Sequence, residues 1–432
     1  MQVSVETTEG LERRLSVEVP AERIDSEVQQ RLKKMAGSVR LDGFRPGKVP
    51  MKVVQNRFGE QIRHEVIGEV LQSSFYEAIS QEKLRPAGRP EIEPTSMEPG
   101  KSLAYTAVFE VYPELTLAGM DQIKVERPVT GIEAADVDRM IETLRKQRTT
   151  WEAVERPAQD GDQLVMDFEG TIDGEGFQGN KAEGARLVLG SGRFIPGFEE
   201  GMLGAAAGEE RTLDLQFPED YPAQEVAGKP VRFKVRLTAV EEPKLPEVDA
   251  EFARSFGVAD GDLDSLREQV RENMQRELDQ TIKNTVKNQV MDGLIEANPI
   301  EIPKALITEE ISRLQEQARM QFGGGADMKL PDEMFTDQAE RRIKLGLILA
   351  EIIQANQMKV DPERLRSTIE NIAAAYEDPE QVVKWYYSRK DQMSELESVV
   401  LEDQVVDWIL GQAQVTEKET PFNELMKVGE GA

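Results

Sequence analysis

The sequence predicts a multidomain α+β protein, and three changes of pattern along its 432 residues predict it. Residues 1 to 112 mix alternating apolar runs with helical stripes. From Pro157 to about residue 242 the chain becomes short alternating segments separated by glycine, and from about Pro243 its apolar residues recur at helical spacing. A chain of this length carries about three domains by the usual size of a folding unit. The expectation is an N-terminal α+β domain over 1–112, then a connector and helix over 113–149 that pack along the C-terminal domain. An antiparallel β domain over 150–242 and an elongated all-α C-terminal domain over 243–432 follow.

The first domain opens on Val3 and Val5, then Leu15, Val17 and Val19, an alternation that predicts a strand pair around EGLE. Ile24, Val28, Leu32 and Met35 follow at the spacing of one helical face. A second stripe runs through Val53, Val54, Phe58, Ile62, Val66, Val70 and Leu71 until RPAGRPEIEP breaks it, and Leu103 to Val111 return as a strand. Between the two helices lies GFRPGKVP, Gly43 to Pro50. Its prolines fix φ, its glycines permit sharp turns, and Phe44 sits between two cations, Arg45 and Lys48. Phe44 either tucks back onto its own domain or stands out as a binding tip.

PELTLAGMDQIKVERPV reads as an extended connector and Ala134 to Gln147 as a helix. The segments LVMDFEGTIDGEGF, ARLVLG, RTLDLQFP and VRFKVRLTAVEE predict the antiparallel β domain. Everything after Pro243 reads as helical. Leu263, Leu266, Val270, Met274, Leu278, Ile282, Val286, Val290 and Leu294 hold one face of a long helix that starts at a cap in DLDSLRE and breaks at NPIEIP. Further helices fall at LITEEISRLQEQARMQF, IKLGLILAEIIQAN, LRSTIENIAAAY, QVVKWYY and LESVVLEDQVVDWILGQA, with Gly323 to Gly325 as a turn. The methionines Met274, Met291, Met320, Met328, Met334 and Met393 fall along these helical stripes, either as core or as an adaptable binding surface.

Composition removes several kinds of chemistry. There are no cysteines and one histidine, His64, which leaves no thiolate site, no cysteine nucleophile and no histidine-based triad or metal cluster. No apolar run reaches membrane-spanning length, and MQVSVETTEG lacks the order of a secretory signal, so a cytoplasmic protein is expected. The net charge of −28 opposes general nucleic-acid binding. Charge is nevertheless uneven. From Arg31 to Arg63 nine cations (Arg31, Lys33, Lys34, Arg40, Arg45, Lys48, Lys52, Arg57 and Arg63) face two acids, Asp42 and Glu60, a patch suited to a polyanion.

Three strings imitate catalytic motifs. GEGFQG, Gly174 to Gly179, has dinucleotide glycine spacing without the helix that must follow. TSMEPGKS ends like a P-loop, but Thr95 stands at the first glycine position, and HEVIG lacks the second histidine of a zinc site. No ATP, metal or other cofactor is expected.

The run GDQLVMDFEGTIDGEGF, then VLGSGRFIPGFEEGMLGAAAGEE, FPEDY and VRFKVRL resembles the FKBP-type peptidyl-prolyl isomerases across nearly the whole β segment. The resemblance implies an apolar pocket built from Phe168, Phe177, Phe194, Ile195, Phe198 as its floor, Tyr221 and Phe233, with the amide of Ile195 donating to the substrate carbonyl. Ala185, at a position often aromatic in the family, and Gln178, in place of an acid, imply a more open and less polarised wall. Such chemistry needs no acid, base or metal. Rotation about an X-Pro bond must break amide resonance over a barrier of about 18–20 kcal/mol. An apolar pocket that binds the twisted amide better than the planar one lowers it.

The GFRPGKVP loop, this segment, the helical C-terminal half and the tail VTEKETPFNELM together resemble the trigger factor family, bacterial ribosome-associated chaperones. In that family GFRxGKxP docks on the ribosome, which here implies Gly43, Phe44, Arg45, Gly47, Lys48 and Pro50. The implied partners are the large ribosomal subunit, through protein and rRNA near the tunnel exit, and nascent or unfolded polypeptides. No membrane and no ATP enter, and a homodimer off the ribosome is left open. The competing reading is a free cytosolic prolyl isomerase and holdase without a ribosome role, and a third is an assembly scaffold built from the helical arms.

Overall fold

The strands of the N-terminal region form because their alternation has somewhere to go. In the computed structural model, which describes residues 1–41, 44, 49–177, 179–321, 330–374, 376 and 378–426, β1 (Gln2–Thr7) and β2 (Glu12–Val19) precede helices α1 (Ala21–Ser38) and α2 (Met51–Gln81). Two more strands, β3 (Pro86–Ser96) and β4 (Leu103–Val111), complete an antiparallel sheet of order β1-β2-β4-β3. Leu15, Val17 and Val19 of β2 and every second residue of β4 from Leu103 to Val111 are buried with Ile62, Val66, Val70 and Phe75 of α2. One polar pair enters this core, the Ser74 and Tyr105 hydroxyls, 2.9 Å apart and so satisfied by each other. RPAGRPEIEP does more than end α2. It begins the eleven-residue β3, which lies at the sheet edge with register shifts flanking Pro90 and Pro94, where a missing N–H costs no ladder bond.

The connector also holds a strand that its composition did not announce. β5 (Lys124–Val129) lies beside a strand from the far end of the chain, and α3 (Ala134–Gln147) follows behind a capping box of Glu133 and Asp136. β6 (Thr150–Val154), β7 (Gln163–Thr171), β8 (Lys181–Val188), the short helix α4 (Phe198–Met202), β9 (Glu210–Gln216) and β10 (Pro230–Lys244) form the antiparallel β domain. β10 is long enough for β6 and β9 to share one of its edges, at residues 240–244 and 230–236, while β7 takes the other and β8 pairs beyond β7. Arg156 staples this domain. It donates to the buried Asp162 at 2.5 and 2.9 Å and to Glu242 at 3.1 Å. Burial pushes the Asp162 carboxyl up, but the Arg156 bonds and the Gln159 amide outweigh it and hold it below the usual carboxylate range.

The helices of the C-terminal half are α5 (Ala250–Ser255), α6 (Leu263–Ala297), α7 (Lys304–Gln321), α8 (Thr336–Ala355), α9 (Pro362–Ala373), α10 (Pro379–Ser388) and α11 (Lys390–Leu410). Asp262 caps α6, and Asp361 and Asp378 cap α9 and α10 with proline at the first helical position. The helical run then ends in strand β11 (Gln414–Glu419) and helix α12 (Phe422–Met426). The β11 amide of Gln414 donates to Ile123 and that of Thr420 to Val129, the same offset at both ends, so β5 and β11 run parallel. The segment Gly323 to Gly325 lies outside the described residues.

By contacts the chain divides into two units, Met1–Glu126 with Val286–Thr416, and Arg127–Thr285 with the residues from Glu417 onward. In the first, the Ala305 amide at the start of α7 donates to Glu110 of β4 at 3.1 Å, and Lys287 lies between Glu402 and Asp403 of α11 at 2.8 and 3.2 Å. Gly88 of β3 has φ +92°, and a Cβ there would meet the Ala305 Cβ at 2.6 Å. In the second, Val137 and Ile141 of α3 pack with Phe252, with Leu266, Val270, Met274 and Leu278 of α6, and with Phe422. Among the described residues no helix is long and apolar enough to cross a membrane.

Candidate active site

The β domain opens a cleft of about 1340 Å³ whose lining includes Phe168, Phe177, Phe194, Ile195, Tyr221 and Phe233. Six of the seven residues that the sequence points to therefore meet on one surface. Phe168 comes from β7, Phe233 from β10, and Phe194 and Ile195 from the turn before α4. Phe168 meets Phe194 edge-on at 5.6 Å between ring centroids and Phe233 at 5.9 Å. Beside them, Phe177 stands edge-on to Phe217 at 5.7 Å, and Phe217 lies 4.8 Å from Tyr221. Interlocked rings of this kind are held by both burial and quadrupole geometry.

The seventh residue lies one layer down. Phe198 is not part of the lining; it is fully buried below it, with its ring 4.5 Å from Phe194 and 5.4 Å from Phe233. The reason is local: Phe198 begins α4, and the first turn of that helix faces the core shared with Met202 and Leu237. Ala185 of β8 pairs with Met166 of β7 and is not among the lining residues. Gln178 lies outside the described residues.

Three residues of the site escaped the sequence reading. Phe217 is buried and lines the cleft. The alternation Leu213, Leu215, Phe217 along and beyond β9 was the signal that could have found it. Gly170 lets the two ring groups approach, since a Cβ there would sit 2.7 Å from the Phe233 ring and 3.2 Å from that of Phe177. The third is Glu199, a buried carboxylate. It accepts from the amides of Gly190 at 2.8 Å, Gly192 at 3.2 Å, Arg193 at 3.0 Å and Phe194 at 3.5 Å, and from the Ser191 hydroxyl at 3.3 Å. Among the described residues the next amide, that of Ile195, has no protein acceptor. The cleft thus offers a cluster of aromatic rings, with charged residues Asp173, Glu175, Arg193, Glu225 and Lys229 also in its lining, and, among the described residues, an uncommitted N–H at Ile195.

GEGFQG begins in a tight turn at Gly174. Ile172 and Glu175 exchange a β-bridge, and β8 rather than a helix follows. In the N-terminal region, Gly43, Arg45, Gly47 and Lys48 lie outside the described residues. Phe44 is 39% exposed, and Pro50 is the exposed residue before α2. Of the cations counted around the loop, Arg31 is taken by Glu65 and Glu69 and Arg63 by Asp25. Lys33, Lys34, Arg40, Lys52 and Arg57 are exposed, with no carboxylate partner among the described residues.

Three family models match the chain: bacterial trigger factor protein over residues 1–144, its C-terminus over 262–411, and FKBP-type peptidyl-prolyl cis-trans isomerase over 154–238. A trigger factor of Pseudomonas fluorescens (strain Pf0-1) is 54% identical over 428 residues, 99% of this chain and 98% of the relative. One from Pseudomonas paraeruginosa (strain DSM 24068 / PA7) is 53% identical over 100% of this chain and 99% of its own length. One from Thioalkalivibrio sulfidiphilus (strain HL-EbGR7) is 51% identical over 99% and 98%. Matched at both ends by trigger factor models and more than half identical to these relatives over almost its full length, the chain belongs to the trigger factor family.

Proposed function

We propose that the aromatic cleft is where X-Pro bonds turn, and that the GFRPGKVP loop holds this activity at the ribosome. Membership of the family makes the chain a ribosome-associated chaperone with an FKBP-type peptidyl-prolyl isomerase domain. The observation that carries the site is the conjunction of the ring-walled cleft with the uncommitted Ile195 amide. Phe168, Phe194 and Phe233 hold the proline ring, with Phe177 and Tyr221 beside them. The Ile195 N–H binds the carbonyl preceding the proline as it swings out of conjugation. Where the rings surround the amide they disfavour its charge-separated resonance form, and the twisted amide is bound better than the planar one. No proton moves and no bond breaks. Phe198 supports Phe194 from below rather than touching substrate.

The chain divides, in this reading, into a docking domain over 1–112, a connector and helix over 113–149, the isomerase over 150–242 and a chaperone body over 243–432. The docking surface combines exposed Phe44 with Arg45 and Lys48 and the neighbouring free cations. Phe44 enters an apolar site on a protein of the large subunit beside the tunnel exit, while the cations meet carboxylates or rRNA phosphates. The work is cytoplasmic and needs no ATP, and the clients are nascent and unfolded chains.

The test is sedimentation of the full chain with ribosomes at low and high salt. Replacing Phe44, Arg45 and Lys48 by alanine abolishes co-sedimentation while peptide isomerisation and thermal unfolding stay as in the wild type. Salt weakens wild-type binding, but less steeply than for a protein held by phosphates alone, because the Phe44 contact is not screened. Wild-type pelleting by the triple variant would overturn the docking assignment and favour a free isomerase and holdase.

A further inference from the structure

We propose that Glu199 is a positioning residue for the isomerase reaction, an internal anion that orders the 190–194 turn and leaves Ile195 as its one amide free for substrate. The inference rests on the reading of the Ile195 amide given above.

The geometry is that of an anion nest filled from within. Successive backbone N–H groups of a loop converge on a point where a ligand anion would ordinarily sit, and the chain's own carboxylate occupies that point. One carboxylate oxygen of Glu199 takes the Gly190 and Gly192 amides, and the other takes the Arg193 amide, the Ser191 hydroxyl and the long bond from Phe194. Five donors meet about four lone-pair sites, so the acceptor is saturated. Charge-assisted bonds to backbone N–H are roughly twice as strong as neutral ones, and a side chain with this burial has no water to exchange them for.

Two consequences follow for the cleft. The turn that carries Phe194 and Ile195 into the lining is pinned just before those residues, which sets where the Phe194 ring and the Ile195 N–H stand. The competing donors are also removed. Had the amides of Gly190, Gly192, Arg193 and Phe194 been free, an incoming carbonyl would have had several places to bind, most of them wrong for rotation. The neighbouring Glu200 does none of this: it is exposed and closes a capping box onto the Gly197 amide at 3.0 Å.

The experiment uses the full chain and a short X-Pro peptide. In the wild type, peptide addition shifts the amide resonance of Ile195, while the amides of Gly190, Gly192 and Arg193 are protected from hydrogen exchange and that of Ile195 is not. In Glu199→Gln, which keeps the shape but puts an NH₂ where an acceptor is needed, kcat falls about tenfold, as expected for a reacting group displaced by a fraction of an ångström. KM changes by less than about twofold, because the ring walls that bind the ground state remain. The Ile195 shift on peptide addition shrinks, and Glu200→Gln leaves kcat unaltered. A wild type whose Ile195 resonance ignores the peptide would sink the underlying site reading. A wild type that responds, paired with a folded Glu199→Gln variant of normal kcat, would overturn the role of Glu199 alone. Should that variant not fold, protection of Ile195 together with free exchange at Gly190 and Gly192 in the wild type would overturn it equally.

Discussion

Removing the Phe198 ring takes away the body that lies 4.5 Å from Phe194 and 5.4 Å from Phe233, two of the rings that line the cleft. Phe198→Ala should lower isomerisation of a short X-Pro peptide at least about tenfold, because the lining rings lose the surface that fixes them. The cavity costs roughly 3–5 kcal/mol, so urea unfolding of the variant must accompany the rate. A folded variant with the wild-type rate would show that the buried layer does not support the site. At this scale the sequence was most informative where rings recur in a recognisable order, as in FIPGF and EDY. It was least so where identity alone does not say which way a side chain turns. Glu199 and Glu200 are adjacent and chemically identical, and only the fold buries one and exposes the other. Gly170 reads as one more strand glycine until the two rings that need its missing Cβ are brought there by β10 and the 172–180 turn.

Among the elements, the long helices announced themselves, whereas strands β3, β5, β6 and β11 did not; β11 lies where the sequence reads as helical throughout. Asp-Pro starts at α9 and α10 and the long apolar face of α6 are local signals, complete within a few turns. β3 carries three prolines and a glycine, and it pairs only because β4 offers an edge. Among the described residues β5 pairs as a strand only with β11, more than 280 residues on, and that pairing is invisible to any local pattern. The contact between β3 and the start of α7 gives a direct check. Gly88→Ala places a Cβ both at a left-handed φ and against the Ala305 Cβ, and the φ alone costs about 1–2 kcal/mol. The variant should be destabilised beyond that, and the Ala305 amide, which donates to Glu110, should exchange faster. Adding Ala305→Gly should recover the steric part and leave the backbone part. If the double variant is no more stable than Gly88→Ala, the close approach does not carry the loss.

For the whole molecule, the β domain leaves and rejoins the chain through one strand pair. Thr150 of β6 lies opposite Lys244 of β10, and its hydroxyl donates to the Lys244 carbonyl at 3.2 Å. Cα atoms paired this way are about 5 Å apart, so deleting residues 151–243 with a short Gly/Ser bridge should leave the rest folded. That variant should lose isomerase activity but keep much of its ability to suppress aggregation of an unfolded, proline-poor client, measured by light scattering. A folded, ribosome-binding deletion with no suppression would make the isomerase domain the client-binding module. The β5–β11 pairing, finally, imposes a schedule. Ile123 meets Gln414, 291 residues later in the chain, and at roughly 5–20 residues per second a ribosome needs about 15–60 s to make the interval. For that time β5 exposes the backbone groups β11 will later satisfy, and a protein that shelters unfinished chains is itself, while being made, a chain in want of shelter.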